Sequence, residues 1–182
     1  MKSQPNIILE DEQIIAALIG LGSNVDSEYG ACLEVLKLAL QELSKLTVRP
    51  LVASSFYESE PVDCPPGSPN FVNAVAALFL PIDTDVELFY NQLDQLEGRL
   101  GRARSGVVHE PRVIDLDLLY FGHKSISTRR LMVPHPRALD RLFVLQPLAE
   151  IAPYLVLPGQ DLAVIDLLNA MPCRSEVRQM VC

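Results

Sequence analysis

Hydrophobic positions along the chain cluster in four short runs, at residues 14–21, 48–57, 71–80 and 113–121. Turn residues bound these runs; the first run, for example, ends at Gly22-Ser23-Asn24. Apolar runs of this length between turn signals are typical of strands that are buried in a sheet. We therefore predict a strand in each of the four runs.

Two segments between these runs have the spacing of amphipathic helices. In residues 29–43 the recurring apolar positions are Leu33, Leu36, Leu40 and Leu43. After the third run they are Val86, Phe89, Leu93, Leu96 and Leu100. Apolar residues three or four positions apart lie on one face of a helix. Asp26 or Ser27 can cap the first helix, and the second can be capped by Thr84 or Asp85.

The predicted elements follow the order β-α-β-β-α-β, which is the ferredoxin-like arrangement of an α+β domain. Right-handed crossovers would place both helices on one face of an antiparallel sheet. We predict a single domain over residues 1–182, with an N-terminal extension at residues 1–13. Beyond residue 122 the pattern predicts one further helix, near residues 162–169, and assigns no role to the tail at residues 158–182.

Two loops in this arrangement are long. Residues 58–70 contain four prolines and one glycine, so we predict that they form a loop. At 13 residues this loop is too long for a tight hairpin. Residues 101–111 connect the second helix to the last strand. Long ordered loops in compact domains often carry function, so both loops are candidates for a binding site.

Composition and charge exclude several classes of protein. The chain is 49% hydrophobic, and its net charge of −8 argues against nucleic acid or an anionic membrane as the main partner. Four cysteines without paired CxxC spacing predict reduced thiols and argue against a zinc site. No apolar run reaches the ~18 residues of a membrane span, and the N-terminus lacks a signal-peptide pattern. We therefore expect a cytoplasmic protein.

The last predicted strand contains two acids, Asp115 and Asp117, within a run of Val, Ile and Leu. Residues two apart on a strand point to the same face, about 6–7 Å apart at Cα. Their neighbours Ile114, Leu116 and Leu118 would point to the helices. Paired carboxylates at this spacing can hold two Mg2+ ions, which prefer oxygen ligands. The alternative is a solvated sheet face that carries two surface acids.

Basic residues are dense on both sides of this strand, although the protein as a whole is acidic. Those before it are Arg99, Arg102, Arg104 and Arg112, and those after it are Arg129, Arg130, His135, Arg137 and Arg141. Guanidinium groups match phosphate oxygens, so arginines beside paired carboxylates favour a phosphorylated ligand bound with its metal. The alternative is a solvated charged loop. The chain has no P-loop motif, which excludes that class of phosphate site.

Six motifs in order resemble the 6-hydroxymethyl-7,8-dihydropterin pyrophosphokinases of folate biosynthesis. They are GLGSN (residues 20–24), SSFYESEP (54–61), FVNAV (71–75), LEGRLGRAR (96–104), PRVIDLDLLYFG (111–122) and VPHPRALDRLFVLQPLAEIAP (133–153). Each motif alone is a weak signal, whereas six in order with compatible spacing are specific. The resemblance covers residues 14–157. It implies a transferase that moves pyrophosphate from ATP to the hydroxymethyl group of the pterin and releases AMP.

The resemblance also implies roles at the phosphate site. Asp115 and Asp117 would bind two Mg2+ ions that bridge the phosphates of the co-substrate ATP. The catalytic arginines would be Arg102 and Arg104, on a loop that closes over the site, and Arg112, which would contact phosphate. The nucleotide would be held by Glu97, Arg130, His135 and Arg141.

For the pterin, the resemblance implies a separate set of residues. Phe71 and Phe143 would sandwich the flat ring, since aromatic faces stack favourably. Asn73 would form hydrogen bonds with the edge of the ring. Backbone contacts would come from the loop at Ser59, Glu60 and Val62.

The chain departs from the family pattern at several positions. His109-Glu110 stands where a Trp-Gly pair is common, and the chain contains no tryptophan. Glu110 places an acid where loop closure would bring phosphates. Asp94 stands where a glutamine is frequent, and Phe71 where a tyrosine often occurs.

Two alternatives from other classes remain open. A metal-dependent nucleotide hydrolase would use water as the acceptor, and a non-catalytic ferredoxin-like module would bind a ligand such as RNA. Phe71, Asn73 and Phe143 favour an aromatic acceptor over water, and the acidic charge disfavours RNA. We expect a monomer that binds small-molecule substrates, with possible contacts to neighbouring enzymes of the folate pathway.

Overall fold

The structure of the protein, a computed structural model, describes residues 12–103, 110–172 and 177–181. Its strands are β1 (Ile14–Ser23), β2 (Val52–Ala53), β3 (Tyr57–Ser59), β4 (Phe71–Pro81), β5 (Asp115–Phe121), β6 (Ile126–Ser127), β7 (Met132–Val133) and β8 (Val177–Gln179). An antiparallel sheet has the order β5-β1-β4-β3-β8, with β2 also paired to β4. Strands β6 and β7 form a separate hairpin.

The helices are α1 (Cys32–Leu43), α2 (Val86–Arg99), α3 (Leu142–Ile151) and α4 (Val164–Ala170), and a 3-10 turn (Ala138–Asp140) precedes α3. Asp85 caps helix α2, as predicted: its side chain accepts a hydrogen bond from the backbone N–H of Leu88 at 2.9 Å. Helix α1 starts three residues later than predicted and Ala31 is its N-cap. Asp26 still contacts this end, since its carboxylate accepts from the N–H of Cys32 at 3.2 Å. None of the helices in the described part of the chain is both long and apolar enough to cross a membrane.

Strand β1 lies inside the sheet, between β4 on one side and β5 on the other. Its residues are apolar on both faces, so each face of the sheet needs a covering layer. Ile15, Ala17 and Ile19 share one core with the apolar stripes of α1 and α2. The intervening residues Ala16 and Leu18 share a second core with α3 and α4. The sheet is therefore covered by helices on both faces.

The predicted α+β class, the antiparallel sheet and the position of α1 and α2 on one face are confirmed. The helix predicted near residues 162–169 is confirmed as α4. Helix α3 and strand β8 were not predicted. Helix α3 is apolar on most of its surface and contains Pro147, and both features hide the periodicity by which a helix is recognised.

The single strand predicted over residues 48–57 is wrong. Two short strands, β2 and β3, pair with β4 in its place. Side-chain hydroxyls interrupt the ladder: Ser54 Oγ accepts from the N–H of Val75 at 3.0 Å, and Thr47 Oγ1 accepts from that of Phe79 at 2.8 Å. Pro50, which has no N–H to donate, also breaks the pairing.

Candidate active site

The two acids of β5 lie on the face of the sheet that α3 covers. Asp115 pairs with Gly22 across the β1–β5 ladder, and Asp117 pairs with Gly20. Cross-strand partners point to the same face, and neither glycine has a side chain that would cover the carboxylates. The side chain of Leu119 packs over Gly20, 3.3 Å from where a Cβ would stand. Leu116 and Leu118 point the other way, into the core beneath α1 and α2. The strand therefore presents one polar face and one apolar face, as its sequence pattern predicts.

Two pockets meet at these carboxylates. The first, called here the aromatic pocket, is lined by Phe71, Phe143, Asn73, Ser59 and Val62 among others. The second, called here the polar pocket, is lined by Tyr90, Asp94, Glu97, Arg102, His135 and Arg137 among others. The side chains common to both linings are those of Arg112, Asp115, Asp117 and Arg141. A ligand in one pocket would therefore lie next to a ligand in the other.

Asp115 is held by two arginines. Arg112 donates to its Oδ2 at 3.0 Å, and Arg102 forms an ion pair with its Oδ1. Arg102 also contacts the buried carboxylate of Glu97 at 2.5 Å. Glu97 in turn accepts from the backbone N–H of Leu116 at 2.7 Å, so it ties the end of α2 to β5. In this state the negative charge of Asp115 is balanced by the protein itself.

Arg112 is fixed by the turn that follows β1. Its backbone N–H donates to Asn24 Oδ1 at 2.7 Å, and its carbonyl accepts from the N–H of Asn24 at 3.1 Å. Its guanidinium lies 5.4 Å from the ring centroid of Phe71, within cation–π range. Its buried Nε has no hydrogen-bond partner among the described residues. This leaves an unused donor at the wall that the two pockets share.

Asp117 is in a less favourable setting than Asp115. Burial, and then the neighbouring carboxylate of Asp115, raise the pKa of Asp117 to about 6, although Arg141, Arg112 and Arg102 act in the opposite direction. A divalent cation between the two carboxylates would relieve this repulsion. The donor chemistry of the site therefore suits a hard cation.

The two carboxylates supply only part of a magnesium coordination shell. Within the described residues, no group of three or more His, Cys, Asp or Glu side chains is arranged to hold a metal ion. Mg2+ at nucleotide sites commonly takes one or two carboxylates and completes its shell with phosphate oxygens and water. Asp115 and Asp117 fit that pattern, with the remaining ligands supplied by a bound nucleotide.

Opposite the acids, the polar pocket carries His135, Arg137 and Arg141. The backbone N–H of His135 donates to the carbonyl of Leu119 at 3.0 Å, which anchors the ring beside β5. His135 Nδ1 accepts from the N–H of Arg137 at 3.3 Å, so the neutral ring carries its proton on Nε2. Burial and the charges of Arg141 and Arg137 lower the pKa of His135. This side of the pocket is rich in positive charge and donors, which suits phosphate oxygens.

The aromatic pocket has two rings and one amide. Phe71 begins β4 and Phe143 lies in the first turn of α3, where Arg141 stands 5.5 Å from its ring centroid. The buried Asn73 donates from Nδ2 to Ser59 Oγ at 2.9 Å. These groups can hold a flat, partly polar ring between aromatic faces.

The structure brings most of the predicted site residues to the two pockets. Ser59, Val62, Phe71, Asn73 and Phe143 line the aromatic pocket, and Glu97, Arg102, His135 and Arg141 line the polar pocket. Glu60 lies instead in a separate groove with Glu58 and Arg178. Arg130 is exposed in the turn between β6 and β7 and lines neither pocket. Arg104 lies outside the described residues, so its predicted contact stays a prediction.

Several lining residues received no role from the sequence. Gly20 and Gly22 form the floor next to the acids, and the detectable signal was a G-x-G opposite a D-x-D on neighbouring strands. Arg137 belongs to the second basic set, yet nothing in the pattern separates it from Arg129. Cys64 lines the aromatic pocket and, like Cys32, is a free thiol. Cys173 and Cys182 lie outside the described residues, so the reduced state of the four cysteines stays a prediction.

Comparisons with known proteins show which family the chain is similar to. The sequence model of the 7,8-dihydro-6-hydroxymethylpterin-pyrophosphokinase family matches residues 18–153. A 2-amino-4-hydroxy-6-hydroxymethyldihydropteridine pyrophosphokinase of Pseudomonas aeruginosa is 40% identical over 159 residues, which are 85% of this chain and 90% of the relative. The corresponding protein of Haemophilus influenzae is 39% identical over 152 residues, 82% of this chain and 89% of the relative.

Other relatives are much longer than this chain. It is 36% identical over 149 residues to the folic acid synthesis protein fol1 of Pneumocystis carinii, and this match covers 82% of the chain but 19% of that protein. A solved HPPK-DHPS protein in complex with substrates has a TM-score of 0.65 at 13% identity, covering 87% of this chain and 43% of the solved one. At that identity the likeness concerns the fold alone. With a family match over most of its length, the chain belongs to the 7,8-dihydro-6-hydroxymethylpterin-pyrophosphokinase family.

Proposed function

We propose that the protein transfers pyrophosphate from ATP to the hydroxymethyl group of 6-hydroxymethyl-7,8-dihydropterin and releases AMP, as a step of folate biosynthesis. The observation that carries this proposal is the wall shared by the two pockets, where Asp115 and Asp117 line both. One pocket offers aromatic faces to a flat ring, and the other offers cations to phosphates. Donor and acceptor would therefore meet at the carboxylate pair. Membership of the family supports the same activity.

In this proposal the aromatic pocket binds the acceptor. Phe71 and Phe143 would stack on the two faces of the pterin ring. Asn73 already donates to Ser59, so its Oδ1 is oriented to accept hydrogen bonds from the ring edge. Backbone groups from Ser59 to Val62, including those of Glu60, would complete the contacts. Because Glu60 itself points into a different groove, its contribution would come from its main chain.

The polar pocket would bind the nucleotide. His135 and Arg141 would contact phosphate oxygens, with Arg130 reaching the nucleotide from the β6–β7 turn and Glu97 fixing the base of the pocket. Asp115 and Asp117 would hold two Mg2+ ions, which supply positive charge between the phosphate oxygens when bound. Arg112, whose side chain lines both pockets, would contact the same phosphates.

The reaction needs alignment more than a protein nucleophile. The hydroxymethyl oxygen would attack the β-phosphorus and give up its proton, finally to solvent. The bond from that phosphorus to the oxygen it shares with the α-phosphate would break, so that AMP leaves. Transfers of this kind depend on the position of donor and acceptor and on compensation of the moving charge. The residues that hold the two ligands at a common wall would therefore supply most of the catalysis.

Arg102 would change partner during this cycle. In the present state it forms an ion pair with the Oδ1 of Asp115. Arg102 must leave this oxygen before Asp115 can bind a metal ion through it. Its second contact, to Glu97, lets it leave Asp115 without becoming unpaired in the protein. Arg102 would then add positive charge to the phosphates as the following segment, with Arg104, closes over the site. Closure would also exclude water, which is the competing acceptor.

We place this activity in the cytoplasm, where the free thiols of Cys32 and Cys64 would stay reduced. We further propose a monomer that acts on small-molecule substrates and contacts neighbouring enzymes of the folate pathway. The existence of relatives such as the folate synthesis bifunctional protein of Arabidopsis thaliana, which is 33% identical over 143 residues, supports contact of this kind.

The experiment that tests the proposal measures AMP release from ATP and Mg2+ in the presence and absence of 6-hydroxymethyl-7,8-dihydropterin. We expect AMP only when the pterin is present, in a one-to-one ratio with the pterin diphosphate. AMP or ADP release without the pterin would instead identify a nucleotide hydrolase. No release under either condition would identify a binding module.

A further inference from the structure

A carboxylate on α3 holds the strand that leads into the aromatic pocket. Glu150 Oε2 accepts from the backbone N–H of Ser55 at 2.8 Å and from the hydroxyl of Tyr57 at 2.9 Å. Glu150 Oε1 accepts from Ser55 Oγ at 2.8 Å. Burial, and then the contact with Glu150, raise the pKa of Tyr57 above its ordinary value, so the hydroxyl stays protonated and donates. Three donors from one short segment therefore converge on a single charged group, and hydrogen bonds to charged groups are the stronger kind.

The C-terminal strand holds the same segment from the other side. Strand β8 pairs with β3 in antiparallel register, with Gln179 opposite Tyr57. Gln179 Nε2 donates to Ser55 Oγ at 2.7 Å, and the N–H of Met180 donates to the carbonyl of Phe56 at 2.8 Å. Ser55 Oγ thus accepts from β8 and donates to α3. The tail, which the sequence left without a role, is part of the support of β3.

This support leads directly to the aromatic pocket. Asn73, a lining residue, donates to Ser59 Oγ at 2.9 Å and to the carbonyl of Tyr57 at 3.4 Å. Ser59 lines one side of the pocket and Phe143, on the same helix as Glu150, lines another. Glu150 therefore joins the helix of one wall to the strand of the other. Neither Glu150 nor Gln179 lines the pocket itself.

We infer that Glu150 and Gln179 form a clamp that sets the separation of the two walls of the aromatic pocket and thereby its affinity for the flat acceptor. The inference rests on the proposed function, since it takes the acceptor to be the pterin. Both are positioning residues that act through Ser55 and Tyr57. Directed hydrogen bonds fix a distance between two elements more closely than apolar contact does, and a binding site for a rigid ring depends on that distance.

The test is a comparison of Glu150→Gln, Tyr57→Phe and Gln179→Ala with the wild-type protein. Pterin affinity is measured by calorimetry in the presence of a non-hydrolysable ATP analogue, and the KM values for pterin and ATP are measured by AMP release. The substitution Glu150→Gln replaces one acceptor oxygen by an NH2 group, which faces at least one of the three donors from Ser55 and Tyr57. We therefore expect about a tenfold weaker pterin affinity. Tyr57→Phe and Gln179→Ala each remove one bond and should weaken it roughly two- to fivefold. The KM for ATP should change less than twofold in all three.

Glu34→Gln, on the exposed surface of α1, is the matched control and should alter neither constant. A lower thermal unfolding midpoint with unchanged pterin affinity in all three variants would mean that the clamp is merely structural, and this would overturn the inference. If Glu150→Gln does not fold, the other two variants decide the question. Wild-type protein that binds the pterin but forms no AMP would refute the proposed function while the affinities still test the clamp. Wild-type protein that binds no pterin would overturn both.

Discussion

Asp117 and Asp115 are two residues apart on one strand, and yet their surroundings give them different energetics. Asp115 is paired with Arg102 and Arg112, whereas burial and repulsion raise the pKa of Asp117 to about 6 from its ordinary value of 3.8. An acid with a raised folded pKa binds its proton more tightly in the folded chain than in the unfolded chain. The ligand-free fold therefore loses stability at Asp117 as the pH rises from about 4 to about 6.

This difference predicts opposite effects of two similar substitutions on the ligand-free protein. Asp117→Asn removes an unfavourable charge and should raise the free energy of unfolding by about 1–2 kcal/mol at pH 8, with little gain near pH 4. Asp115→Asn removes the ion pairs of Arg112 and Arg102 with this carboxylate, although Arg102 keeps Glu97, and should lower the free energy of unfolding by roughly 1–3 kcal/mol. Urea unfolding at the two pH values measures both. Loss of stability in Asp117→Asn at pH 8 would contradict this interpretation of the site.

Metal binding should show the same titration. Because Mg2+ needs the ionised carboxylate, binding of Mg2+ with a nucleotide should release a proton at Asp117 when the pH is near 6. We expect nucleotide affinity in Mg2+ to weaken as the pH falls from 7.5 to 5.5, with proton release that is detectable by calorimetry in buffers of different ionisation enthalpy. Asp117→Asn serves as the control and should release fewer protons per nucleotide bound, because only the terminal phosphate of the nucleotide then titrates near this pH. Equal release from both proteins would place the titration elsewhere.

Arg137 is the lining residue of the polar pocket whose role is easiest to isolate. It lies beside His135 and Arg141, and among the described residues its side chain forms no ion pair. We expect Arg137→Ala to raise the KM for ATP about three- to tenfold, because one cation near the phosphates is lost, and to leave the KM for pterin unchanged. Arg129→Ala, an exposed arginine outside both pockets, is the matched control. Equal effects of the two substitutions would mean that only net charge matters.

At the scale of elements, Arg102 links the end of α2 to the start of β5. Arg102 bridges Glu97, at the end of α2, and Asp115, at the start of β5, so it holds the two elements together before any ligand binds. A metal at Asp115 would break one of these contacts. The ligand-free contact therefore opposes nucleotide binding slightly, while the freed guanidinium favours the reaction.

The two opposing effects of Arg102, on nucleotide binding and on the reaction, predict the kinetic effect of Arg102→Ala. We expect turnover to fall roughly 10- to 100-fold while nucleotide affinity changes less than about threefold, because the arginine acts mainly after closure. Single-turnover rates and nucleotide titrations separate the two quantities. Arg99→Ala, an exposed residue at the end of α2, is the control and should match the wild type in both. A loss confined to nucleotide affinity would show that Arg102 is a ground-state contact and not part of a lid.

The sequence predicted the elements whose pattern is local. The strands β1, β4 and β5 are continuous apolar runs between turn residues, and the helices α1 and α2 repeat their apolar positions within their own length. Strand β8 could not be predicted, because its three residues pair with a strand more than a hundred positions earlier. The break between β2 and β3 occurs at Ser54, whose hydroxyl accepts from the N–H of Val75, and this competition with the backbone ladder appears only once β4 is in place.

At the scale of the whole molecule, the sheet assembles one site from distant parts of the chain. Asn73 on β4, Asp115 on β5 and Phe143 on α3 surround the glycines of β1. The motifs indicated these residues through their resemblance to a family, whereas the floor of glycines and the role of Arg137 required the fold. The net charge of the chain is −8, and the lining of the polar pocket balances four arginines against four acids. A triphosphate would therefore meet positive charge only on the side that carries Arg137 and Arg141, and at a metal bound by the carboxylates.

In the proposed reaction, the carboxylate pair presents metal-bound triphosphate to an acceptor in the adjoining pocket. A crystal structure with Mn2+, a non-hydrolysable ATP analogue and the pterin tests it most directly, with anomalous differences recorded at the manganese edge. We predict two peaks bounded by Asp115, Asp117 and the phosphates, with the hydroxymethyl oxygen facing the β-phosphorus. A triphosphate bound elsewhere, with no peak at either carboxylate, would contradict the account.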